Sequence, residues 1–548
     1  MRLVAKRGYR DYQEHLAELE KSGLLRTVDR AINKDTEMHP LVRWQFRGGI
    51  PEYNRKAWMF TNITDSRGRK YDYPVVVGAL ATTPEIYRIG MNVPMDKIGS
   101  HWEQAISNPI KPLEVSDAPC HEVVITGNEL IGEGKGLDTL PIPISTPGYD
   151  AAPYFTATNC VTKDPETGIQ NIGTYRAGLK SSNRLGVRMS SRTGGAGGYA
   201  HWVKYQKRGE KMPVAFVIGC PPHVAFMGPQ KLPRTIDEID VAGGLAGEPI
   251  QIVKCKTSDL LVPSQSELVI EGLVDTEYLE PEGPFGESHG HIALEGFNMQ
   301  MEITAICMKE KPVIPSIISQ VTPSESSVIK RVAYEPMFMA HLRDNLGIQG
   351  IKSIALHEPL TNLRKVTFLV MDREAAPTEV WRALYGISNF RADCGKYVIA
   401  VSEDIDPLNG DAILWSITYR SNPALDVHVL PHRSGGHGPK GHGNDATMLI
   451  NATIKADMPP VALPKREYME NAKALWERLG LPELKPETPW HGYELGDWNS
   501  YWDEMAKRAA AGDYKTNGEL TEKRLVQGVK PETLVTDIEM TPGKPTEE

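Results

Sequence analysis

Between residues 120 and 320 the chain carries seven short runs rich in β-branched and apolar residues: HEVVITG, YFTATNCVT, MPVAFVIG, PIQIVKC, SELVIEGLV, MQMEITAIC and VIPSIIS. Gly, Pro and Asp turns part them. Strands at such short spacing leave little room for regular helical crossovers, so the pattern points to a closed or split barrel rather than a parallel doubly wound sheet. A G-x-G-x-x-G fingerprint after a strand is absent, which removes support for a Rossmann nucleotide site.

A chain of 548 residues exceeds what one core usually holds, about 250 to 300 residues, so the flanks call for units of their own. Asp11 and Glu14 form a capping-box pattern, with Tyr12, Leu16 and Leu19 at helical spacing and Gly23 as a stop. PVVVGAL, residues 74–80, reads as a buried strand of a small α/β segment. Thr322-Pro323-Ser324-Glu325 predicts a capped helix with Val328, Ile329 and Val332 on its apolar face, kinked or ended at Pro336. Beyond it, KVTFLVMD, KYVIAVSEDID and AILWSITYR alternate with helical stretches such as EVWRALYG. After about 455 the pattern is helical, with Trp498, Tyr501, Trp502 and Met505 on one face suited to packing against a neighbouring domain or subunit. Residues 530–548, rich in Pro, Thr and charge, read as a loose tail. The expectation is an α+β chain divided into 1–115, an α/β segment; 116–321, the strand-rich domain; 322–345, a connecting helix; 346–455, a second α/β domain; and 456–548, a helical extension and tail.

Several classes fall away. No apolar run approaches the roughly 20 residues of a membrane-spanning helix, and the N-terminal stretch lacks the apolar core of a signal peptide, so a cytoplasmic protein is expected. Six scattered cysteines without C-x-x-C spacing predict reduced, buried side chains. A formal charge of -9 disfavours a nucleic-acid surface, leaving small molecules as the expected partners.

Chemistry concentrates in EPEGPFGESHGH, residues 280–291. Spacing alone leaves Glu282 and Glu287 equally readable as a solvated acidic turn. NIGTYR, residues 171–176, adds an arginine at the end of a strand-like run. An Arg beside two carboxyls in a pocket would hold one ionised, while repulsion and burial raise the proton affinity of the other.

NIGTYR, the downstream RMSSRTGG, TIDEIDVAGGLAGEP and EGPFGE, in that order, resemble the UbiD-like family of decarboxylases that use prenylated FMN. The resemblance spans roughly 10–455 and includes KYVIAVSEDIDPLNGDAILWSITYRSNPALD. It implies a flavin-reductase-like split β-barrel as the flavin-binding domain, a connecting helix and a C-terminal oligomerisation domain, assembled as a homodimer or homohexamer. Asn171 and Glu238 match ligands of a Mn²⁺ (or Mg²⁺) that clamps the cofactor phosphate, and oxygen donors suit a hard cation. Thr174, Tyr175, Arg176, Arg188, Met189, Ser190, Thr193 and Gly194 match positions lining the cofactor, with Lys396 reaching from the later domain. Gly194 stands where one branch has a metal-binding His, which leaves the third ligand open. A K⁺ is implied beside carbonyls of residues 227–230.

The same resemblance casts Arg176, Glu282 and Glu287 as the catalytic network, with Glu287 donating the proton after CO₂ leaves a covalent prenylated-FMN adduct. The tight turn would rest on Gly283, Pro284 and Gly286. His437 falls at a substrate-contacting position, while His432, His437 and His442 together fit no standard zinc spacing. His289 and His291 are expected to support the turn. The resemblance implies reversible, non-oxidative decarboxylation of an aromatic or α,β-unsaturated acid, with a flavin prenyltransferase as cofactor supplier. An aryl-CoA thioester such as phthaloyl-CoA is the alternative substrate. A plain FMN oxidoreductase, or a flavin-binding accessory subunit without activity, are the alternative functions.

Overall fold

The computed structural model describes residues 8–190, 196–230, 232, 236–358, 365–390, 394–433, 445–456, 458–486 and 496–534. Thr193, Gly194, His437, His442 and most of the tail expected over 530–548 lie outside the described residues. The chain is α+β, as expected.

A ten-stranded antiparallel sheet forms the centre. Its order is Gln170–Gly173, Thr158–Lys163, Met212–Ile218, Leu268–Val274, Gly296–Met308, Arg184–Val187, Ala177–Ser181 and Tyr154–Phe155, with Glu280–Glu282 and Val123–Thr126 both pairing with the long strand Gly296–Met308. The order is open: among the described residues the two end strands do not pair with each other. Both faces of the middle strands are covered. Val214, Phe216 and Ile218 enter one apolar cluster, whereas Ala215 and Val217 enter another. This is why MPVAFVIG reads as an unbroken apolar run rather than an alternating one.

Two of the seven β-rich runs belong elsewhere. PIQIVKC supplies Gln251–Lys254 to a three-stranded sheet, and VIPSIIS supplies Ile314–Ser316 to a four-stranded sheet with Leu25–Val28, Ala57–Phe60 and Val75–Val77. That second sheet carries the N-terminal helix Tyr12–Lys21 beside it, capped by Asp11, which accepts from Glu14 N at 2.8 Å. Tyr12, Leu16 and Leu19 are buried, the spacing read from the sequence.

The helix after residue 322 starts later than its sequence pattern suggests. It runs Glu325–Ala340, and Ser324 with Ser327 makes the capping box in place of Thr322 with Glu325. Glu325 instead turns its carboxylate onto the Leu80 and Ala81 amides (2.8 and 3.3 Å), where a buried acceptor is worth more than a cap. Pro336 does not end the helix, which continues four residues past it and then widens to a π-turn at His341–Asn345.

The later α/β unit holds five strands in the order Ile351–Leu356, Val366–Met371, Tyr397–Ser402, Asp445–Ala452 and Val427–Arg433. AILWSITYR is not a strand but the helix Gly410–Arg420, with Asn409 accepting from Asp411 N and Ala412 N. Its buried positions Ala412, Ile413, Ser416 and Arg420 follow helical periodicity, which the near-continuous apolar run conceals. Helices Arg466–Arg478, Ser500–Ala510 and Tyr514–Glu522 follow, and none contains a buried residue. Trp498 lies before its helix and meets Trp502 at 5.5 Å between ring centroids. No helix among the described residues is long and apolar enough to cross a membrane. All six cysteines are free and buried.

Candidate active site

Antiparallel pairing brings the separated motifs together. Arg176 follows the strand Gln170–Gly173, and Glu282 ends the strand Glu280–Glu282, held in register opposite Gly296. Phe285 and Gly286 then pair with Ala293 and Ile292, so residues 285–293 form a hairpin with Glu287 at its mouth. The turn closes where Glu287 N donates to His291 O (3.1 Å) and Gly290 N donates to Glu287 O (3.1 Å). The expected turn at 283–286 is therefore displaced. Its left-handed glycine is Gly290, φ 89°, whereas Gly283 and Gly286 serve close approach. A Cβ at Gly283 would lie 2.3 Å from Ala151 Cβ, and one at Gly286 would lie 2.1 Å from Thr146 Oγ1.

Arg176 joins the two carboxylates. Its Nε and Nη2 donate to Glu282 Oε1 and Oε2, both at 2.8 Å, and its Nη1 donates to Glu287 Oε1. The side chains of Arg176, Glu282 and Glu287 retain only 13%, 6% and 17% of their exposure, so the solvated-turn reading does not hold. Burial alone would lower the Arg176 pKa, but the two glutamates overcome it and carry it above its ordinary value. The guanidinium also lies over the Phe285 ring, 4.4 Å from its centroid, and Phe285 packs on Tyr154 at 4.5 Å. Burial, followed by the Glu282 charge, raises the Tyr154 pKa, keeping a neutral phenol beside the pair.

Sequence motifs did not reveal three of the supporting residues. Asn298 is 2% exposed, donates from Nδ2 to Glu282 Oε2 and accepts from Arg188 Nη1 at 2.7 Å. Asp150 accepts from Gly286 N (2.8 Å) and Thr146 N (2.7 Å), fixing the start of the hairpin. Tyr154 is the third. Each sits on a strand or loop whose local pattern signals only packing. The register Glu280↔Asn298 was the missing information.

A second group gathers at the start of the helix Gly197–Arg208. Glu238, the first residue of the helix Glu238–Ala246, accepts from Ile172 N at 3.3 Å, which places it on the strand that carries Asn171. Gly197 lies so close to Asn171 that a Cβ there would stand 1.9 Å from the carboxamide oxygen. Tyr175 OH accepts from Gly198 N (3.2 Å) and Asn171 Nδ2 (3.5 Å), and Met189 packs beside Gly198. Asn171 stands at a helix N-terminus cleared by glycines, with Glu238 on the neighbouring backbone of the same strand, and oxygen donors with helix N–H groups of this kind suit a hard cation and a phosphate. The loop expected to offer carbonyls, 227–230, docks on Thr174, whose N donates to Gly228 O at 3.4 Å. A cavity of about 20 Å³ opens there between Thr158, Asn159, Thr174 and Pro229, room for a single water or ion.

The remaining candidates stand apart. Lys396 is exposed and pairs with Asp445 at 3.1 Å, making no hydrogen bond to another site candidate among the described residues. Ser190 O accepts from Ala196 N (3.1 Å), at the entry to the helix Gly197–Arg208. His289 Nδ1 accepts from His291 N at 3.2 Å, within the hairpin turn. His432 is exposed on the strand Val427–Arg433.

Residues 111–321 match the family model described as the UbiD 3-octaprenyl-4-hydroxybenzoate carboxy-lyase Rift-related domain, and residues 328–439 match that family's C-terminal domain. The chain belongs to the UbiD family. As a UbiD-family chain it is a carboxy-lyase, and its fold recurs in solved members. An evolved dimeric form of the UbiD-class enzyme HmfF from Pelotomaculum thermopropionicum, in complex with prFMN, is 26% identical with a TM-score of 0.71, covering 83% of this chain and 97% of its own. The same enzyme in complex with FMN gives a TM-score of 0.73 at 26% identity, covering 84% and 99%. Vanillic acid decarboxylase from Sedimentibacter hydroxybenzoicus, in closed form, shares the fold at 22% identity and TM-score 0.72, covering 86% and 100%.

Proposed function

We propose that this UbiD-family enzyme carries out reversible, non-oxidative decarboxylation of an aromatic or α,β-unsaturated carboxylic acid with prenylated FMN. Glu287 is the proton donor in this reading. The observation that carries it is the buried Arg176 held by both Glu282 and Glu287. We read the ten-stranded sheet as the flavin-reductase-like split barrel, since the candidate cofactor residues come from or follow its strands.

The cradle around Asn171, Glu238 and the glycines at 197 and 198 fits a phosphate clamped by Mn²⁺ or Mg²⁺, and the 227–230 carbonyls fit K⁺. Thr174, Tyr175, Arg188, Met189 and Ser190 would line the flavin. The chemistry such a cofactor supplies when bound is an electron sink for the carbon that loses CO₂.

The chain's own residues do the rest. Glu282 neutralises Arg176 through the bidentate pair and fixes its plane, so the guanidinium presents Nη1 in one direction. Through Nη1, Arg176 orients the Glu287 carboxyl. As CO₂ departs, a protonated Glu287 transfers its proton to the vacated carbon. In the carboxylation direction it takes that proton back. Phe285 and Tyr154 shield the pair from water, which strengthens each of these electrostatic contacts.

The test is a screen of aromatic acids and their CoA esters, aerobic and anaerobic, with protein co-expressed with a flavin prenyltransferase and CO₂ release as the readout. Release from at least one acid that requires the prenylated cofactor supports the reading. Flavin-dependent nicotinamide oxidation without CO₂ release overturns it.

A further inference from the structure

Away from Arg176 lies a group of ligand-type side chains that the chemistry above does not use. A ring nitrogen of His121, the Cys307 sulfur and a Glu271 oxygen lie within 4.8 Å of one another. They come from three elements: the turn Pro119–His121, and the adjacent strands Leu268–Val274 and Gly296–Met308. Glu271 and Cys307 are both 0% exposed.

Two features at this spot call for a cation. The Glu271 carboxylate accepts from Lys256 N, Thr257 N and Thr257 Oγ1, each at 2.7 Å, and the Cys307 thiol points at its Oε1 at 3.7 Å. All of these donors are neutral; the Lys256 charge is felt at His121 and Cys307, but among the described residues no cationic side chain forms an ion pair with Glu271. A fully buried carboxylate with no ion-pair partner in contact is costly even when hydrogen-bonded. Independently, His121 Nε2 is buried with no hydrogen-bond partner among the described residues. Cys120 and Cys255 belong to the same apolar cluster as Cys307.

We propose that His121, Glu271 and Cys307 bind a divalent cation of the zinc class, in a structural site that ties the Pro119–His121 turn to the central sheet. One thiolate, one imidazole and one carboxylate match a borderline-soft ion rather than Mg²⁺ or Ca²⁺. Bonds of about 2.0 to 2.3 Å put tetrahedral donors roughly 3.3 to 3.8 Å apart, so closing the observed group needs a shift of about 1 Å. Binding displaces the Cys307 proton to solvent, and the cation becomes the ion-pair partner of Glu271.

The experiment titrates the full-length chain, freed of metal, with Co²⁺ as the probe and reads the thiolate-to-cobalt charge-transfer absorption. Metal content after Zn²⁺ loading and desalting is measured in parallel. One equivalent of Co²⁺ with that absorption is expected. Cys307→Ala abolishes it, and His121→Ala, at a half-buried position, weakens Co²⁺ binding at least tenfold. Glu238→Ala leaves the absorption unchanged, because oxygen donors produce none. Absence of the band in the wild-type chain, its persistence in Cys307→Ala, or unchanged Co²⁺ affinity in His121→Ala overturns the site.

Discussion

Arg188 donates from Nη1 to the carboxamide oxygen of Asn298 at 2.7 Å, and this contact fixes which way the amide faces. With its oxygen committed to Arg188, Asn298 directs Nδ2 at Glu282 Oε2. The Arg176–Glu282 pair is thereby linked to Arg188, a position the family resemblance assigns to cofactor lining.

Asn298→Ala removes one donor from a buried carboxylate. A hydrogen bond to a charged group is worth about 1.5 to 3 kcal/mol, so kcat is expected to fall about 10- to 100-fold. Flavin content, read from the visible spectrum, should stay near wild type. Asn298→Asp should be worse than Ala, because it sets a second carboxylate against Glu282.

Glu238→Ala should lose divalent metal and flavin together, since the carboxylate that meets the Asn171 strand is gone. Metal analysis and flavin absorbance of the purified variant check this. Full flavin retention contradicts the phosphate-clamp role.

Gly286→Ala forces a Cβ to 2.1 Å from Thr146 Oγ1, beside the Asp150 contacts that anchor the hairpin. Overpacking of this kind typically costs about 1 to 3 kcal/mol. A lower Tm is expected, together with a kcat loss exceeding any KM change, because the hairpin that carries Glu287 moves.

Glu325 is 1% exposed, and burial pushes its pKa up to about 7 although the amides of Leu80, Ala81 and Ile318 pull the other way. The folded chain then holds this proton at pH values where the unfolded chain, at the ordinary 4.5, has released it. The resulting stability is complete below about pH 4.5, declines as pH rises, and is gone above about pH 7. Thermal melts across this window should show a shallower decline for Glu325→Gln than for wild type.

How far the sequence could be read depended on whether the signal was local. The Asp11 cap and its apolar stripe involve residues within one helix, so spacing sufficed. NIGTYR and EGPFGE could be recognised as motifs because their residue types are chemically particular. Asn298 could not, since its neighbours FNMQMEITAIC read as an ordinary strand and its importance comes from register against Glu280. AILWSITYR misleads because its apolar run is near-continuous, and the cap at Asn409 decides in favour of helix. VIPSIIS joins a sheet formed by residues more than two hundred positions earlier, a pairing fixed by packing rather than by its own sequence.

The role of Glu287 as proton donor is tested most directly by Glu287→Gln, prepared with prenylated FMN and compared with wild type at equal flavin loading for CO₂ release from an accepted acid. Removing a general acid costs about 10²- to 10⁴-fold, so turnover should vanish into background while the flavin spectrum stays intact. Release at the wild-type rate would contradict Glu287 as the proton donor.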